Sequence, residues 1–251
     1  MMESNPLWSD RIMVRAYAAD FSARWKPTAF FQNMQQAAGA HAAQLGYDFL
    51  SMRARDEVWV LSRVKIEWDA FPVTGDEVEI ITWPHGIEQK IFYRREFEFF
   101  SGGSRLARAT SAWLLISPSA RRIVPPQMRS ITLPDGGRRA LDETLEKILP
   151  PADLSLCGTR TAVFSDVDVM GHVNNARYIE WICDCYPLEH YQSRRLSALQ
   201  INYSKEVLPG ETVELHRGTD PANPACDVLV GLKADGERAF EARLTWRKKD
   251  D

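Results

Sequence analysis

A chain of 251 residues, 45% hydrophobic and 26% charged, suffices for one large domain or two small ones, each with its own core. A formal net charge of −3 and a pI of about 6.0 exclude an overall basic field of the kind that holds nucleic acid or an anionic membrane. The four cysteines, Cys157, Cys183, Cys185 and Cys226, show no C-x-x-C spacing, which argues against a zinc site or a disulfide framework.

The N-terminus, Met-Met-Glu-Ser-Asn-Pro-Leu-Trp, has no basic region followed by an apolar core. No apolar run approaches the roughly 20 residues a spanning helix needs. A cytoplasmic protein without membrane insertion is expected. Arg11 to Tyr17 reads as a strand, and Asp20 to Pro27 as a turn with Pro near a helix start. The helix that follows carries an apolar stripe of Phe30, Met34, Ala37, Ala38 and Leu45 and stops at Gly46. Four alternating runs come next, Trp59 to Trp68, Glu77 to Trp83, Lys90 to Phe100 and Leu106 to Ile116, and they predict antiparallel strands.

Prolines and glycines then interrupt the chain between Ser117 and Pro151 around a short amphipathic piece at Leu141 to Leu149. A linker over 136–152 is expected, between a unit over 1–135 and another over 153–251. After it the order returns. Val163 and Phe164 read as strand, Asp166 to His172 as a turn, and Tyr178, Ile179 and Ile182 as one face of a helix starting near Asn174. Strands are predicted at Leu196 to Tyr203, Thr212 to His216, Ala225 to Lys233 and Ala239 to Arg247.

The halves overlay as a divergent repeat. Asp20 falls on Asp166, Ser62-x-x-x-Ile66-x-Trp68 on Ser197-x-x-x-Ile201-x-Tyr203, and Gly75 to Ile80 on Gly210 to Leu215. One long helix followed by an antiparallel sheet that curls around it buries the helix on the concave face. That α+β unit resembles the hotdog fold, duplicated here as a tandem double hotdog. In this overlay Ser22, Arg24 and Lys26 stand beneath Asp168, Met170 and His172, and Phe71 beneath Glu206. The first half keeps the scaffold and lacks the acid/base set.

Asp168, His172 and Glu206 together could activate water and manage the proton transfers that hydrolysis of an activated carbonyl requires. Each has a structural alternative. Asp168 could cap the helix or order the Asp-x-Asp turn, His172 could be a hydrogen-bonded structural histidine, and Glu206 a solvated strand-end carboxylate. Asn174 and Asn175 are most simply capping and turn residues. Only the combination points to chemistry.

The chain resembles the plant-type acyl-ACP thioesterases, in a bacterial form. In the first half the resemblance rests on Trp59-Val-Leu-Ser-Arg63-x-x-Ile66-Glu-Trp68, Thr82-Trp83-Pro84, Arg94-Arg95-Glu96-Phe97 and Ala109-Thr110-Ser111-Ala-Trp113. In the second it rests on Asp166-Val-Asp168-Val-Met-Gly-His172-Val-Asn174-Asn175-Ala-Arg-Tyr178 and Tyr203-Ser-Lys-Glu206. It implies hydrolysis of fatty acyl-ACP in fatty acid biosynthesis, with no metal or organic cofactor. The implied partner is an acidic acyl carrier protein bearing the acyl chain on phosphopantetheine.

The family's Asp, Asn, His and Glu positions fall on Asp168, Met170, His172 and Glu206, so a thioether replaces an amide. Val207 stands where many plant members carry a cysteine, which removes a thiol nucleophile from that position. Asp168 would serve as base or nucleophile, while Met170, Gly171 and Asn174 would line the substrate side of the turn. Backbone N–H groups near Gly171 and His172 would polarise the thioester carbonyl. An acyl pocket is expected in the first half, around Phe30, Phe31 and Met34.

An acyl-CoA thioesterase with the same site, or a weakly catalytic acyl-binding module, are the alternatives. Arg94-Arg95, Arg121-Arg122, Arg138-Arg139, Arg194-Arg195 and Lys248-Lys249 are candidate carrier-docking charges. Monomer and homodimer are both compatible with the sequence.

Overall fold

The computed structural model describes residues 5–128, 131–220 and 222–249, so the N-terminal reading of Met1 to Ser4 lies outside the described residues. The chain divides into two compact units, Met1–Leu145 and Glu146–Asp251. In the first, β1 (Trp8–Met13), β2 (Val58–Trp68), β3 (Glu77–Glu88), β4 (Phe92–Ser101) and β5 (Ser104–Ser117) form an antiparallel sheet in the order β1-β3-β4-β5-β2. A short β6 (Arg122–Ile123) lies against the end of β5. The expected run at Arg11 to Tyr17 is strand only as far as Met13; Ala16–Ala18 is a 3-10 turn.

Helix α1 (Pro27–Gln44) begins at a proline whose fixed φ suits the first helical position. It is closed off by Gly46, which takes a left-handed φ of +81°. Its buried stripe holds Phe30, Phe31, Met34, Ala37, Ala38 and His41. Phe30 sits among Trp25, Trp68 of β2 and Phe99 of β4, with ring centroids 4.5, 5.8 and 5.1 Å away. Burial of one such ring is worth about 2–3 kcal/mol, so this cluster pins the start of α1 to the sheet. The sequence did not signal the short α2 (Phe49–Ala54), which Asp48 caps by accepting the Ser51 N–H at 3.0 Å.

The second unit repeats this topology. Strands β7 (Ser155–Thr161), β8 (Arg194–Tyr203), β9 (Thr212–Asp220), β10 (Asn223–Lys233) and β11 (Arg238–Lys248) run antiparallel in the order β7-β9-β10-β11-β8. Position by position this is the order of the first sheet. The helices differ: α1 has 18 residues, whereas α3 (Asn175–Cys183) has 9. Pro187 lies just beyond and cannot join a continuing helix, and it also restrains Tyr186 before it. A separate α4 (Leu188–Ser193) follows. Tyr178 of α3 packs edge-on against Tyr203 of β8 at 5.6 Å and Phe240 of β11 at 5.4 Å, which fixes the helix on its sheet.

The amphipathic piece at Leu141 to Leu149 forms no helix. It is irregular, with bends at Leu141 and Glu143, and Leu141, Leu145 and Ile148 are buried. A helix would need its carbonyls for its own i to i+4 bonds, and arginines of the sheet take them instead. Arg94 donates to the carbonyls of Leu141 and Glu143, and Arg63 to that of Leu145. Residues up to Leu145 therefore belong with the first unit. Arg94 and Arg95 are themselves buried, Arg94 bonded to Glu88 and Glu96, and Arg95 to His41 and Thr82. Burial removes this pair from the candidate docking charges.

Candidate active site

Asp168 opens a three-residue hairpin loop. Its N–H donates to the His172 carbonyl and its own carbonyl accepts the Gly171 N–H, both at 3.0 Å. Gly171 has φ +85°, the left-handed position such a loop requires. Val167 and Val173 pair across its base, and the Val173 N–H donates to the Val207 carbonyl at 2.9 Å. One turn is thereby tied to the segment that carries Glu206. Before it, Val163 and Phe164 lie outside β7, with Phe164 in a 3-10 turn spanning Phe164–Asp166. The Asp166 carboxylate accepts the Val163 N–H at 3.0 Å, and that local bond replaces a ladder bond.

This geometry brings the three expected residues to one place. His172 Nε2 lies 3.3 Å from Glu206 Oε2, with the Glu206 side chain 63% exposed and the imidazole half-buried. Asp168 Oδ1 accepts the Met170 N–H at 2.8 Å, and Oδ2 faces Asn174 Nδ2 at 3.4 Å. Asn174 also caps α3, its Oδ1 accepting the Ala176 N–H at 2.9 Å. A carboxylate held by two donors, on the same hairpin loop as an imidazole held by a second carboxylate, is equipped to place and deprotonate a water. The Gly171 N–H, expected to face a substrate carbonyl, is instead spent on the Asp168 carbonyl inside the turn.

Hydrogen bonding re-registers the internal repeat by two residues in this region. In the first unit the Asp20 N–H donates to the Arg24 carbonyl at 2.7 Å and the Ala23 N–H to the Asp20 carbonyl at 3.0 Å. Ala19 pairs with Trp25 as Val167 does with Val173, and Ala23 has φ +59° where Gly171 has φ +85°. Asp20 is therefore the counterpart of Asp168, not of Asp166, and Ser22, Arg24 and Lys26 correspond to Met170, His172 and Asn174. The first unit keeps the aspartate after all. It lacks the histidine and the glutamate, since Arg24 and Phe71 occupy those places.

Tyr178 belongs to the same region although residue type alone does not mark it as a site residue. It is buried, and that burial pushes its hydroxyl well above the ordinary value; Glu206, Glu211 and Asp168 push the same way, against a backbone bond from Val207. The phenol stays protonated next to the three carboxylates. Its place one turn into α3 after Asn174 was the available signal. Val207 is buried and accepts the Val173 N–H, so it serves the scaffold. Among the described residues no group of His, Cys, Asp and Glu could hold a metal ion, and no helix is long and apolar enough to cross a membrane.

Comparison with known proteins agrees in both halves. The family model for the acyl-ACP thioesterase N-terminal domain matches residues 7–130, and that for the C-terminal domain matches residues 159–248. The chain is 24% identical to oleoyl-acyl carrier protein thioesterase 2 of Arabidopsis thaliana, over 99% of this chain and 79% of that protein. It is 28% identical to the palmitoyl-acyl carrier protein thioesterase of Gossypium hirsutum, over 99% of this chain and 66% of that protein.

In fold it matches an acyl-ACP thioesterase crystal structure from Bacteroides thetaiotaomicron with TM-score 0.85 and 24% identity, covering 98% of this chain and 100% of that one. The 12:0-ACP thioesterase of Umbellularia californica gives TM-score 0.82 at 23% identity, covering 98% of each chain. The expected double hotdog is the fold these neighbours share. With both domain models matched in order and a repeated helix-on-sheet unit beneath them, the chain belongs to the acyl-ACP thioesterase family.

Proposed function

We propose that this chain hydrolyses fatty acyl-ACP to free fatty acid and holo-carrier at the turn that holds Asp168 and His172. The observation that carries the reading is the His172 to Glu206 contact of 3.3 Å on the same loop system as the Asp168 carboxylate. Asp168 takes a proton from a water as the water oxygen adds to the thioester carbonyl. Collapse of the tetrahedral adduct breaks the carbon–sulfur bond, and the departing pantetheine sulfur receives a proton from His172, which Glu206 keeps oriented; the proton that Asp168 took from water then passes through solvent to His172 and restores both groups. Thiolate is a good leaving group, so this last transfer needs little acid strength.

Met170 brings its backbone N–H to Asp168, and its thioether has no hydrogen to donate where an amide would. The acyl pocket is assigned to the first unit, and the phosphopantetheine arm to the exposed approach beside Glu206. Cytoplasmic location belongs to the same proposal.

Initial rates of free-thiol release from matched acyl-ACP and acyl-CoA test the carrier. Faster turnover of acyl-ACP, with a KM that rises with salt as expected for an acidic partner, supports the reading. Equal or faster turnover of acyl-CoA would move the enzyme to the CoA-dependent alternative.

A further inference from the structure

The repeated turn separates what an aspartate does for the loop from what it does for the site. In the first unit Asp20 Oδ1 accepts the N–H groups of Ser22 at 2.8 Å and Arg24 at 3.0 Å. In the second, Asp168 Oδ1 accepts that of Met170 at 2.8 Å. This oxygen orders the loop in both copies, including the copy without histidine or glutamate, so its role is structural. The other oxygen is treated differently. Asp168 Oδ2 faces Asn174 Nδ2 at 3.4 Å, whereas the equivalent N-cap of α1 is Lys26, whose side chain makes no capping bond.

The orientation of the Asn174 amide is settled by the helix. Its Oδ1 must accept the Ala176 N–H to cap α3, at 2.9 Å, so the N–H end is the one left for Asp168. Its backbone N–H is also committed, donating to the Asp166 carbonyl at 2.9 Å. Each end of the side chain thus has a protein partner, Ala176 at the oxygen and Asp168 at the nitrogen.

We infer that Asn174 is a positioning residue: the N-cap of α3 aims an amide N–H at the second oxygen of Asp168 and holds that carboxylate in one orientation toward the attacking water. It supplies an amide donor in a chain where position 170 carries a thioether. The inference rests on the hydrolase reading above.

Asn174→Ser and Asn174→Asp test it, because both side chains still cap a helix while neither offers the amide donor. With acyl-ACP as substrate, Asn174→Ser should lose roughly tenfold in kcat with KM unchanged and thermal midpoint near that of the wild type, as expected for a lost hydrogen bond to a charged group. Asn174→Asp should lose more, since it sets a second carboxylate against Asp168. Binding of a non-hydrolysable acyl thioether analogue should be unchanged in Asn174→Ser.

Wild-type kcat in Asn174→Ser would overturn the role. So would a loss carried by KM or by analogue affinity, which would make Asn174 a substrate contact, and so would a loss in Asn174→Ser that Asn174→Asp does not share. If the wild-type protein hydrolyses no thioester, the hydrolase reading itself fails, which is a different result from any of these.

Discussion

At position 170 the side chain is a thioether, yet the loop is intact, because the bond that orders it comes from the Met170 backbone. Met170→Asn should therefore fold normally and raise the hydrolysis rate modestly, about threefold, or roughly 0.7 kcal/mol of barrier. A large loss of rate would show that the methionine side chain is packed into a remodelled site. Asp168, His172 and Glu206 were legible in the sequence because chemistry-bearing residue types fell on one short turn and one strand end. The first-half counterpart of Asp168 was not. Asp20 and Asp166 share a letter, but Asp166 takes the Val163 N–H before the loop, while Asp20 accepts N–H groups inside it. Only hydrogen bonds distinguish the two jobs.

Among the elements, the segment after β6 shows where reading from periodicity fails. Leu141, Leu145 and Ile148 are spaced as for a helix, and they are indeed buried, but from an irregular backbone. What decides is remote in sequence: Arg94, on β4, spans Glu88, Glu96 and the carbonyls of Leu141 and Glu143. Glu96 is fully buried and has Thr110 Oγ1 at 3.0 Å and the Ala140 N–H at 2.9 Å as its other donors. Arg94→Met should leave that carboxylate without its cation and cost about 3 kcal/mol of stability, read as a lower urea midpoint at unchanged slope. An unchanged midpoint would mean the segment is held by apolar burial alone. The helices show a gentler limit. Pro27 at its start and Gly46 just past its end made the 18 residues of α1 readable, while the end of α3 was set by Pro187 and by the short α4 that follows.

For the whole molecule, duplication was the most legible feature. Apart from Val163 and Phe164, which lie outside any strand, the expected strands recur in the structure with ends moved by a few residues, and both units follow one strand order, β1-β3-β4-β5-β2 and β7-β9-β10-β11-β8. Repeats survive divergence in this way because glycines at loop positions and alternation on strands preserve hydrogen bonding when side chains change. Gly75 and Gly210 make the point: each donates its N–H to the residue just after or near the first strand of its unit, Val14 and Ala162, at 3.0 and 2.9 Å. On that common frame one copy carries Asp168, His172 and Glu206, and the other Asp20, Arg24 and Phe71. On this mechanism the second copy alone runs the chemistry, with Asp168 at its centre. The most direct test is the rate of thiol release from acyl-ACP by wild type, Asp168→Asn and Asp20→Asn side by side. Asp168→Asn should lose at least about a hundredfold, as for removal of a general base, while folded Asp20→Asn should turn over near the wild-type rate. Undiminished hydrolysis by Asp168→Asn would contradict this mechanism.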